Sequence, residues 1–412
     1  MTGNAKKAGW VVSAILVGLL VVLVWKKPLT ARGTTAEPTE KVEAPDESKK
    51  KLAAVLAVPL VSNRFPEELE VALEDVPEKY QANYTLDWIS QTYMDNMFKL
   101  YKPDYGAFVA LDATTGKILT LLSYTREKKD LGNLALRATY PAASVFKIVT
   151  ATAAVDQRRL HPESVMGFNG ANHTLYKKNV TQTENNKWTR FVTLSQAFAK
   201  SVNTVFAKIG LYFLQPDHLR QYASRFRFNE AIPADVPIQV SRFALPDNDI
   251  WAIAEAASGF NRVATLSPMQ GALIAAAVAN EGMMMEPYVV DSLVSKSSEV
   301  AYRGEARPMV APMSPETAFG IRHMMQQTVK QGTSAKAFRK FFDKKSLSDL
   351  EVGGKTGSLV GMDPKGKYDW FVGYGIKDGR KIAVASLTIN VENWRVKSSF
   401  LARSYLEQLF SR

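Results

Sequence analysis

A serine and a lysine three positions apart stand at the start of an apolar run near the middle of the chain. The run reads YPAASVFKIV over residues 140–149, with Ser144 and Lys147 at this spacing. At the start of a helix, positions i and i+3 lie on one face, so the hydroxyl and the amine can meet. A serine hydroxyl becomes an effective nucleophile when a base removes its proton, and burial favours the neutral amine that can do so. The spacing therefore predicts a nucleophile with its base, at a helix end that favours an oxyanion.

The alternative interpretation of this pair is a lysine that snorkels to water from a buried helix. Ser-x-x-Lys also occurs at residues 48–51, in a polar segment where it indicates nothing. Two further groups occur once each, Ser201-Val202-Asn203 and Lys355-Thr356-Gly357. Taken alone, the first is a small helix residue beside a surface amide, and the second is a strand end with a bulge. In this order, however, they supply a second hydroxyl, an amide and a cation beside a strand edge, as acyl transfer from a peptide requires.

The sequence predicts five strands that would position these groups. The runs GAFVALD and KILTLLS, joined by a short turn that contains a glycine, predict a hairpin beginning at Gly106. Three β-branched and aromatic runs follow near the end of the chain, at 351–360, 368–376 and 381–391. Together they predict an antiparallel sheet formed by both ends of one domain.

Helices predicted from the middle of the chain would cover that sheet. Residues 144–159 form the first, and residues 193–210 form one amphipathic helix that Gly210 ends. The small-residue run 267–282 predicts a buried helix that also ends at a glycine. The expected fold class is α+β, with flanking helices and a helical subdomain.

The beginning of the chain predicts a membrane attachment. Residues 8–25, AGWVVSAILVGLLVVLVW, are apolar apart from one serine and would span ~27 Å as a helix, close to the ~30 Å hydrocarbon core. We expect an uncleaved transmembrane anchor, because the run is long for a signal peptide and no small-x-small site follows it. The polar residues 26–51 predict a flexible linker. Residues 52–105 predict a short N-terminal region that ends with a helix.

Composition excludes several kinds of site. The chain has no cysteine, so disulfides, thiolate catalysis and cysteine-ligated zinc are excluded. Its four histidines form no pair at i, i+3 or i+4, so we expect no metal site, and nothing indicates a cofactor. The net charge is +12, but the basic clusters show no zinc-finger or RNA-stacking signature. We interpret the clusters at 49–51, 126–129 and 339–345 as solvated faces near an anionic cell-wall polymer or lipid, and expect no nucleic acid.

From Gly106 to about Val391 the chain resembles the transpeptidase domain of penicillin-binding proteins. The resemblance implies that such a domain occupies residues 106–412. Ser-x-x-Lys, Ser-x-Asn and Lys-Thr-Gly are the signature that this family shares with serine β-lactamases. PAASVFK stands where the family usually has a proline-glycine-serine-threonine-phenylalanine-lysine string, and Ser358 stands where threonine is commoner. Further blocks match in order: GAFVALDATTGKILTLLS, TLSQAFAKSVNTVFAKIG, SPMQGALIAAAVANEG, VKQGTSAKAF and GGKTGSLVGMDPKGKYDWFVGYG.

The resemblance implies a role for four catalytic residues. Ser144 would be the acylated nucleophile. Lys147 would be the general base for acylation, although the identity of that base is disputed across the superfamily. Ser201 would carry a proton to the leaving group, with Lys355 close by.

The resemblance also implies how the substrate is held. Asn203 would bind the substrate backbone, and Thr356 and Ser358, with the lysine before them, would hold the terminal carboxylate. The backbone N–H groups of Ser144 and Ser358 would form the oxyanion hole. The strand that contains Gly357 would pair with the extended peptide by edge addition.

The function implied is a membrane-anchored D,D-transpeptidase that cross-links peptidoglycan stem peptides and is inhibited by β-lactams. The donor would be a D-alanyl-D-alanine stem and the acceptor an amine of a neighbouring stem. With water as acceptor the enzyme would be a D,D-carboxypeptidase, and the sequence leaves that ratio open. Residues 1–7 would be cytoplasmic, the anchor would lie in the bacterial cytoplasmic membrane, and the catalytic domain would be periplasmic. A separate glycosyltransferase or scaffold is a further expected partner.

Two other functions stay open at this point. One is a serine β-lactamase, although no glutamate begins the Glu-x-x-Leu-Asn-like segment of class A enzymes, and Ser-Val-Asn stands where class D enzymes carry Ser-x-Val. The other is a non-catalytic β-lactam sensor or divisome scaffold. A sensor needs an intracellular effector, and seven residues precede the predicted anchor. A degenerate scaffold usually lacks a catalytic group, whereas every group is present here.

Overall fold

The computed structural model of the protein describes residues 47–74, 76–127, 131–246 and 249–412. The predicted cytoplasmic tail, the predicted anchor and most of the predicted linker lie outside these ranges. Within them, no helix is both long enough and apolar enough to cross a membrane.

Eleven α-helices lie in the described part of the chain, together with short 3-10 turns at Ala143–Phe146 and Lys345–Leu347 and a π-helical turn at Ile209–Phe213. The helices are α1 (Glu47–Val61), α2 (Trp88–Tyr101), α3 (Lys147–Asp156), α4 (Lys177–Thr181), α5 (Leu194–Ala199), α6 (Asn203–Lys208), α7 (Pro216–Arg225), α8 (Ile250–Ser258), α9 (Pro268–Ala279), α10 (Pro315–Lys330) and α11 (Ser398–Phe410).

Fifteen strands of the described residues form one large sheet and several small ones. They are β1 (Glu68–Val71), β2 (Glu78–Tyr84), β3 (Tyr105–Asp112), β4 (Ile118–Thr125), β5 (Tyr140–Pro141), β6 (Val165–Phe168), β7 (Arg190–Thr193), β8 (Thr265–Leu266), β9 (Met284–Met285), β10 (Val290–Val294), β11 (Val300–Arg303), β12 (Pro308–Val310), β13 (Glu351–Met362), β14 (Lys365–Lys377) and β15 (Arg380–Asn390).

The large sheet is antiparallel and has the order β13-β14-β15-β3-β4. Its central pairing joins the end of the domain to its beginning, with Leu387 of β15 opposite Ala107 of β3. The predicted α+β fold is therefore confirmed, including the hairpin and the three strands near the end of the chain. β13 lies at an edge of the sheet, which leaves one side of its backbone open to further pairing.

Helices cover both faces of this sheet because its side chains alternate between two apolar cores. On one face lies α9, which is buried along its entire length, as the small-residue run predicted. α2 and α11 pack on the opposite face. Trp370 and Phe371 are neighbours in β14, yet the first belongs to the core under α9 and the second to the core under α11.

The prediction of one helix over residues 193–210 is wrong. The segment forms α5 and α6, separated at Ser201, whose φ of 54° lies in the left-handed region. The backbone N–H of Thr333 reaches the carbonyl of Ala199 at 3.0 Å, so a distant loop supplies a partner to the end of α5. Gly210 does not end a helix; it lies in the π-helical turn, where an added Cβ would stand 2.5 Å from the Cβ of Ala257.

The N-terminal region is continuous with the rest of the fold. β1 and β2 form a four-stranded sheet with β10 and β11, which come from much later in the chain. α1 begins at Glu47, so the last five residues of the predicted linker over 26–51 are helical and the predicted boundary lies too late in the chain. Lys49, interpreted as part of a solvated cluster, is 2% exposed and forms an ion pair with Glu286. Packing of α1 against the core explains both differences, since three of its leucines are fully buried.

Candidate active site

Ser144 lies on the 3-10 turn that leads into α3. The turn is reached through Ala143, whose φ of 48° is unusual for a residue with a side chain. Gly259 follows α8 and lies directly against this turn, because an added Cβ would stand 2.0 Å from the carbonyl oxygen of Ala143. The close approach of α8 therefore fixes the turn and leaves Ser144 partly exposed at a cleft.

Lys147 is fully buried beside this serine. Its Nζ lies 2.8 Å from Ser144 Oγ, 2.7 Å from Asn203 Oδ1 and 2.5 Å from the carbonyl oxygen of Ser258. Burial, and secondly the nearby charge of Lys355, hold the pKa of Lys147 well below its usual value. A neutral amine has two hydrogens, which Asn203 and Ser258 accept, and its lone pair then faces the Ser144 hydroxyl. This arrangement suits a general base.

A second buried lysine lies on β13. Lys355 Nζ donates to Ser201 Oγ at 3.0 Å and to the carbonyl oxygen of Thr356 at 2.9 Å. Burial lowers the pKa of Lys355 to about 7, so near neutral pH this amine can both hold and release a proton. The left-handed conformation of Ser201 directs its hydroxyl into the cleft, and only 5% of the residue is exposed. The pair forms a proton path separate from the first lysine.

Asn203 begins α6 and links two parts of the site. Its side-chain oxygen accepts from Lys147, and its nitrogen donates to the carbonyl oxygen of His173 at 2.8 Å. The residue is 4% exposed and lines the cleft. The observed contacts show that Asn203 orients Lys147, and its predicted contact with the substrate backbone stays a prediction.

The strand β13 passes close to the Ser144 turn at Gly357. An added Cβ there would lie 3.2 Å from Val145 Cγ2 and 3.3 Å from the Val145 nitrogen. A larger residue would therefore push the strand away from the Ser144 turn. Thr356 and Ser358, on either side, face the cleft, and the Thr356 hydroxyl is hydrogen-bonded to that of Thr333.

The structure thus brings Ser144, Lys147, Ser201 and Lys355 together, with the substrate-binding residues predicted from the sequence beside them. The two serines and the predicted substrate-binding residues line a cleft of about 740 Å³, and the two lysines lie buried beside them. The cleft also contains residues that the sequence analysis did not identify: His173, Gly259, Phe260, Thr333, Lys336, Ala337, Asp369, Lys397, Ser399 and Phe400. Thr333 and Lys336 lie in the block VKQGTSAKAF, so a signal for them was present. Among the described residues, no group of three or more His, Asp or Glu side chains is placed to hold a metal ion.

Comparison with protein families gives an independent result. Residues 106–406 match the family described as the penicillin binding protein transpeptidase domain. The matched segment covers more than half of the chain and contains every residue of the predicted site.

Individual relatives agree with that match. The peptidoglycan D,D-transpeptidase PbpA of Mycolicibacterium smegmatis is 30% identical over 320 residues, covering 69% of this chain and 62% of that protein. PbpA of Mycobacterium tuberculosis is 29% identical over 330 residues, covering 70% of this chain and 63% of that protein. The chain therefore spans less than two thirds of the length of these curated relatives. The ceftriaxone acyl-enzyme complex of penicillin-binding protein A from M. tuberculosis is similar with a TM-score of 0.66 and 25% identity, covering 80% of this chain and 79% of that one.

Proposed function

The chain belongs to the penicillin-binding protein transpeptidase family, and from that premise we propose that it is a peptidoglycan D,D-transpeptidase that cross-links stem peptides through an acyl-enzyme on Ser144. The observation that carries the proposal is the contact of 2.8 Å between Nζ of the buried Lys147 and Oγ of the partly exposed Ser144. A partly exposed serine beside a lysine with a strongly lowered pKa is an activated nucleophile.

In the acylation step, Ser144 Oγ attacks the carbonyl carbon of the penultimate D-alanine while its proton passes to Lys147. The C–O bond forms and a tetrahedral oxyanion develops, which the backbone N–H groups of Ser144 and Ser358 stabilise. The C–N bond of the terminal residue then breaks. Ser201, beside Lys355, passes a proton to the departing amine, and D-alanine leaves.

In the transfer step, the amine of a neighbouring stem peptide attacks the ester carbonyl. A new C–N bond forms and the C–O bond to Ser144 breaks. Lys147 returns its proton to the serine oxygen, and the proton lost by the amine passes through Ser201 and restores Lys355. Water in place of the amine would give a D,D-carboxypeptidase by the same steps. We propose transfer to an amine as the main reaction, which is consistent with the PbpA relatives being D,D-transpeptidases by name.

The substrate is held by the exposed edge of β13. Its backbone can pair with an extended peptide, and the hydroxyls of Thr356 and Ser358 face the position where a terminal carboxylate would lie. A β-lactam that mimics the same dipeptide would acylate Ser144, as ceftriaxone forms an acyl-enzyme with the related penicillin-binding protein A.

We also propose that residues 8–25 anchor the protein in the bacterial cytoplasmic membrane, with residues 1–7 cytoplasmic and the catalytic domain periplasmic. The support is the apolar sequence and the extracytoplasmic substrate of the proposed reaction. A separate glycosyltransferase or scaffold would supply or organise the glycan strands. Protease digestion of intact spheroplasts tests the orientation: the catalytic domain should be degraded, and protection of it would contradict the proposal.

Mass spectrometry of the full-length protein after incubation with a penicillin tests the function. We expect a stable adduct with the mass of the intact drug, because no glutamate lies among the described residues that line the cleft to activate a deacylating water. Ser144→Ala should give no adduct. Ser48→Ala, at the other Ser-x-x-Lys of the chain, is the matched control and should be acylated like the natural protein.

Two outcomes would contradict the proposal. Rapid hydrolysis of the drug with return of the free protein would indicate a β-lactamase. A folded protein that neither forms an adduct nor hydrolyses the drug would indicate an inert scaffold.

A further inference from the structure

The cleft extends beyond the catalytic residues onto the opposite side of β13. Successive side chains of a strand point to opposite faces of its sheet, so Lys355 and Gly357 face the Ser144 turn while Ser358 faces the other way. Ser358 lies directly opposite Asp369 of β14 in the sheet register. This outer half of the cleft is lined by Lys336, Asp369, Lys397, Ser399 and Phe400, and the proposed acylation step uses none of them.

Asp369 is the one carboxylate among the described residues that line the cleft, and it is 7% exposed. One carboxylate oxygen accepts from the backbone N–H of Ser398 at 2.8 Å. The other lies 3.4 Å from Lys397 Nζ, which is a long contact for an ion pair. A carboxylate offers about four acceptor positions, so Asp369 keeps the capacity to accept a further donor from the cleft.

Lys397 is a weak partner for this acid. Its side chain is 55% exposed, so it reaches water easily, and its Nζ also stands 3.4 Å from the centre of the Trp394 ring. A half-exposed cation that is shared with an aromatic ring can move aside when another cation arrives. The acid is therefore fixed in place by β14 and Ser398, while its cationic partner is exchangeable.

The position of this acid relative to the reaction suggests its ligand. The donor's terminal carboxylate is expected at Thr356 and Ser358, and the leaving amine departs on that side. By microscopic reversibility the acceptor amine must approach along the path that the leaving amine takes. Asp369 adjoins that side of the cleft, because it lies opposite Ser358 in the neighbouring strand and lines the same cleft.

We propose that Asp369 is an acceptor-recognition residue, which binds the ammonium group of the incoming peptide by displacing Lys397. The inference rests on the proposed transpeptidase function. The ligand class is a zwitterionic peptide, because the exposed Lys336 in the same half of the cleft suits a carboxylate. An ammonium held by a carboxylate keeps its proton, so the site recruits the acceptor, which loses its proton only on moving to the buried lysines. Asp369 therefore affects the KM for the acceptor rather than the chemical step.

Partitioning of a donor acyl-enzyme between an amine acceptor and water tests the inference. A D-alanyl-D-alanine thioester analogue serves as donor, with D-alanine at varied concentration as the zwitterionic acceptor. For Asp369→Asn we expect the KM for D-alanine to rise about five- to tenfold, as expected for loss of a charged hydrogen bond. For Lys397→Met, which keeps an unbranched apolar stem and removes the competing cation, we expect the same KM to fall about threefold. Asp349→Asn, an exposed acid paired with Lys377, is the matched control and should change nothing.

The KM for D-alanine is expected to change in opposite directions in the two variants, and this separates recognition from structural damage. A disturbed start of α11 would weaken acceptor binding in both variants. An unchanged KM in Asp369→Asn, or a rise in both variants, would overturn the inference. The rate of Ser144 acylation by penicillin is measured on every sample. If the natural protein is not acylated, the proposed function fails; if it is acylated and the acceptor KM does not respond to Asp369, only this inference fails.

Discussion

Buried lysines occur in two regions of the molecule, and their partners distinguish them. In the N-terminal region Lys49 is 2% exposed and forms an ion pair with Glu286. Beside the cleft, Lys147 and Lys355 are fully buried, their hydrogen bonds are to hydroxyl, amide and carbonyl oxygens, and each stands over a phenylalanine ring. A carboxylate compensates much of the cost of burying an ammonium, whereas neutral oxygens compensate less of it and the pKa falls.

The comparison shows that burial alone does not make a lysine a base. The ion pair of Lys49 joins α1 to the loop before β10, and its contribution is to the stability of the fold. The two cleft lysines differ from each other as well, since the pKa of Lys147 is lowered by burial and by the charge of Lys355 together, whereas burial alone acts on Lys355. One is suited to accept a proton and the other to carry one.

Replacement of Lys147 should have the largest effect on acylation. Lys147→Met retains the apolar stem and removes the base, and we expect the rate constant for acylation by penicillin to fall about 10³-fold, within the usual range for general-base removal. Stopped-flow measurement with a fluorescent penicillin checks this. Lys50→Met, at an exposed lysine of α1, is the control. Acylation within tenfold of the natural rate would mean that another group takes the proton.

Replacement of Lys355 should have the next largest effect. Lys355→Met removes the proton carrier but leaves the base in place, so we expect about a 10²-fold loss of the acylation rate. In the natural protein the rate should also fall as pH rises above about 7, because Lys355 then loses its proton. A pH profile without this decline would assign the leaving-group proton to a different residue.

The same lysine predicts how stability depends on pH. The pKa of Lys355 is about 7 in the folded protein and near 10.5 when exposed, so between these values the unfolded chain binds more protons. Stability should therefore rise with pH from about 7 to about 10, by up to ~1.4 kcal/mol for each unit of pKa difference. Urea unfolding of the natural protein and of Lys355→Met across this range measures the difference. As pH rises, the free energy of unfolding of the natural protein should increase relative to that of Lys355→Met. A difference between the two that does not change with pH would contradict the lowered pKa of Lys355.

Substitution at Gly357 should have a smaller effect on the cleft. Gly357→Ala places a Cβ 3.2 Å from Val145 Cγ2, so β13 must shift slightly, and we expect about a tenfold slower acylation because the reacting groups lose alignment. Adding Val145→Ala removes the crowding methyl and should recover part of the rate. If the double variant is slower than either single one, crowding is not the cause.

Replacement of Lys49 should leave acylation unchanged, although it weakens the fold. Lys49→Met leaves Glu286 without its buried partner, and we expect a loss of about 2–4 kcal/mol in the free energy of unfolding. Denaturant unfolding and the penicillin assay on the same sample check both expectations. A large loss of acylation in the folded variant would show that the contrast between the two regions is wrong.

Local patterns explain why much of the fold followed from the sequence. The strands β3, β4, β13, β14 and β15 are runs of β-branched and aromatic residues bounded by turns, and α9 is a run of small residues long enough to be helical. The pairing of Ser144 with Lys147 also needed only the spacing of one helix turn. These features depend on neighbours in the chain, so the sequence carries them directly.

The misses have a common cause in contacts between distant segments. The helix predicted over 193–210 is divided at Ser201 because a loop more than 130 positions later meets the end of α5. The linker boundary is placed too late because Lys49 pairs with Glu286 in a distant segment. Asp369 lies in the matched block GGKTGSLVGMDPKGKYDWFVGYG, but nothing in that run shows that its side chain faces the cleft. Its place beside Ser358 follows from the register of β13 and β14.

The sequence by itself predicted Ser144 as nucleophile with Lys147 beside it, the two accompanying motifs and the sheet that carries them, because each prediction depends on residue type and local periodicity. The tertiary structure decided which lysines are buried among neutral groups with a lowered pKa and which one forms an ion pair. It also placed an acid in the outer half of the cleft. The physical reason is that pKa and charge compensation depend on burial and on partners brought from distant parts of the chain, and only the folded chain defines those partners.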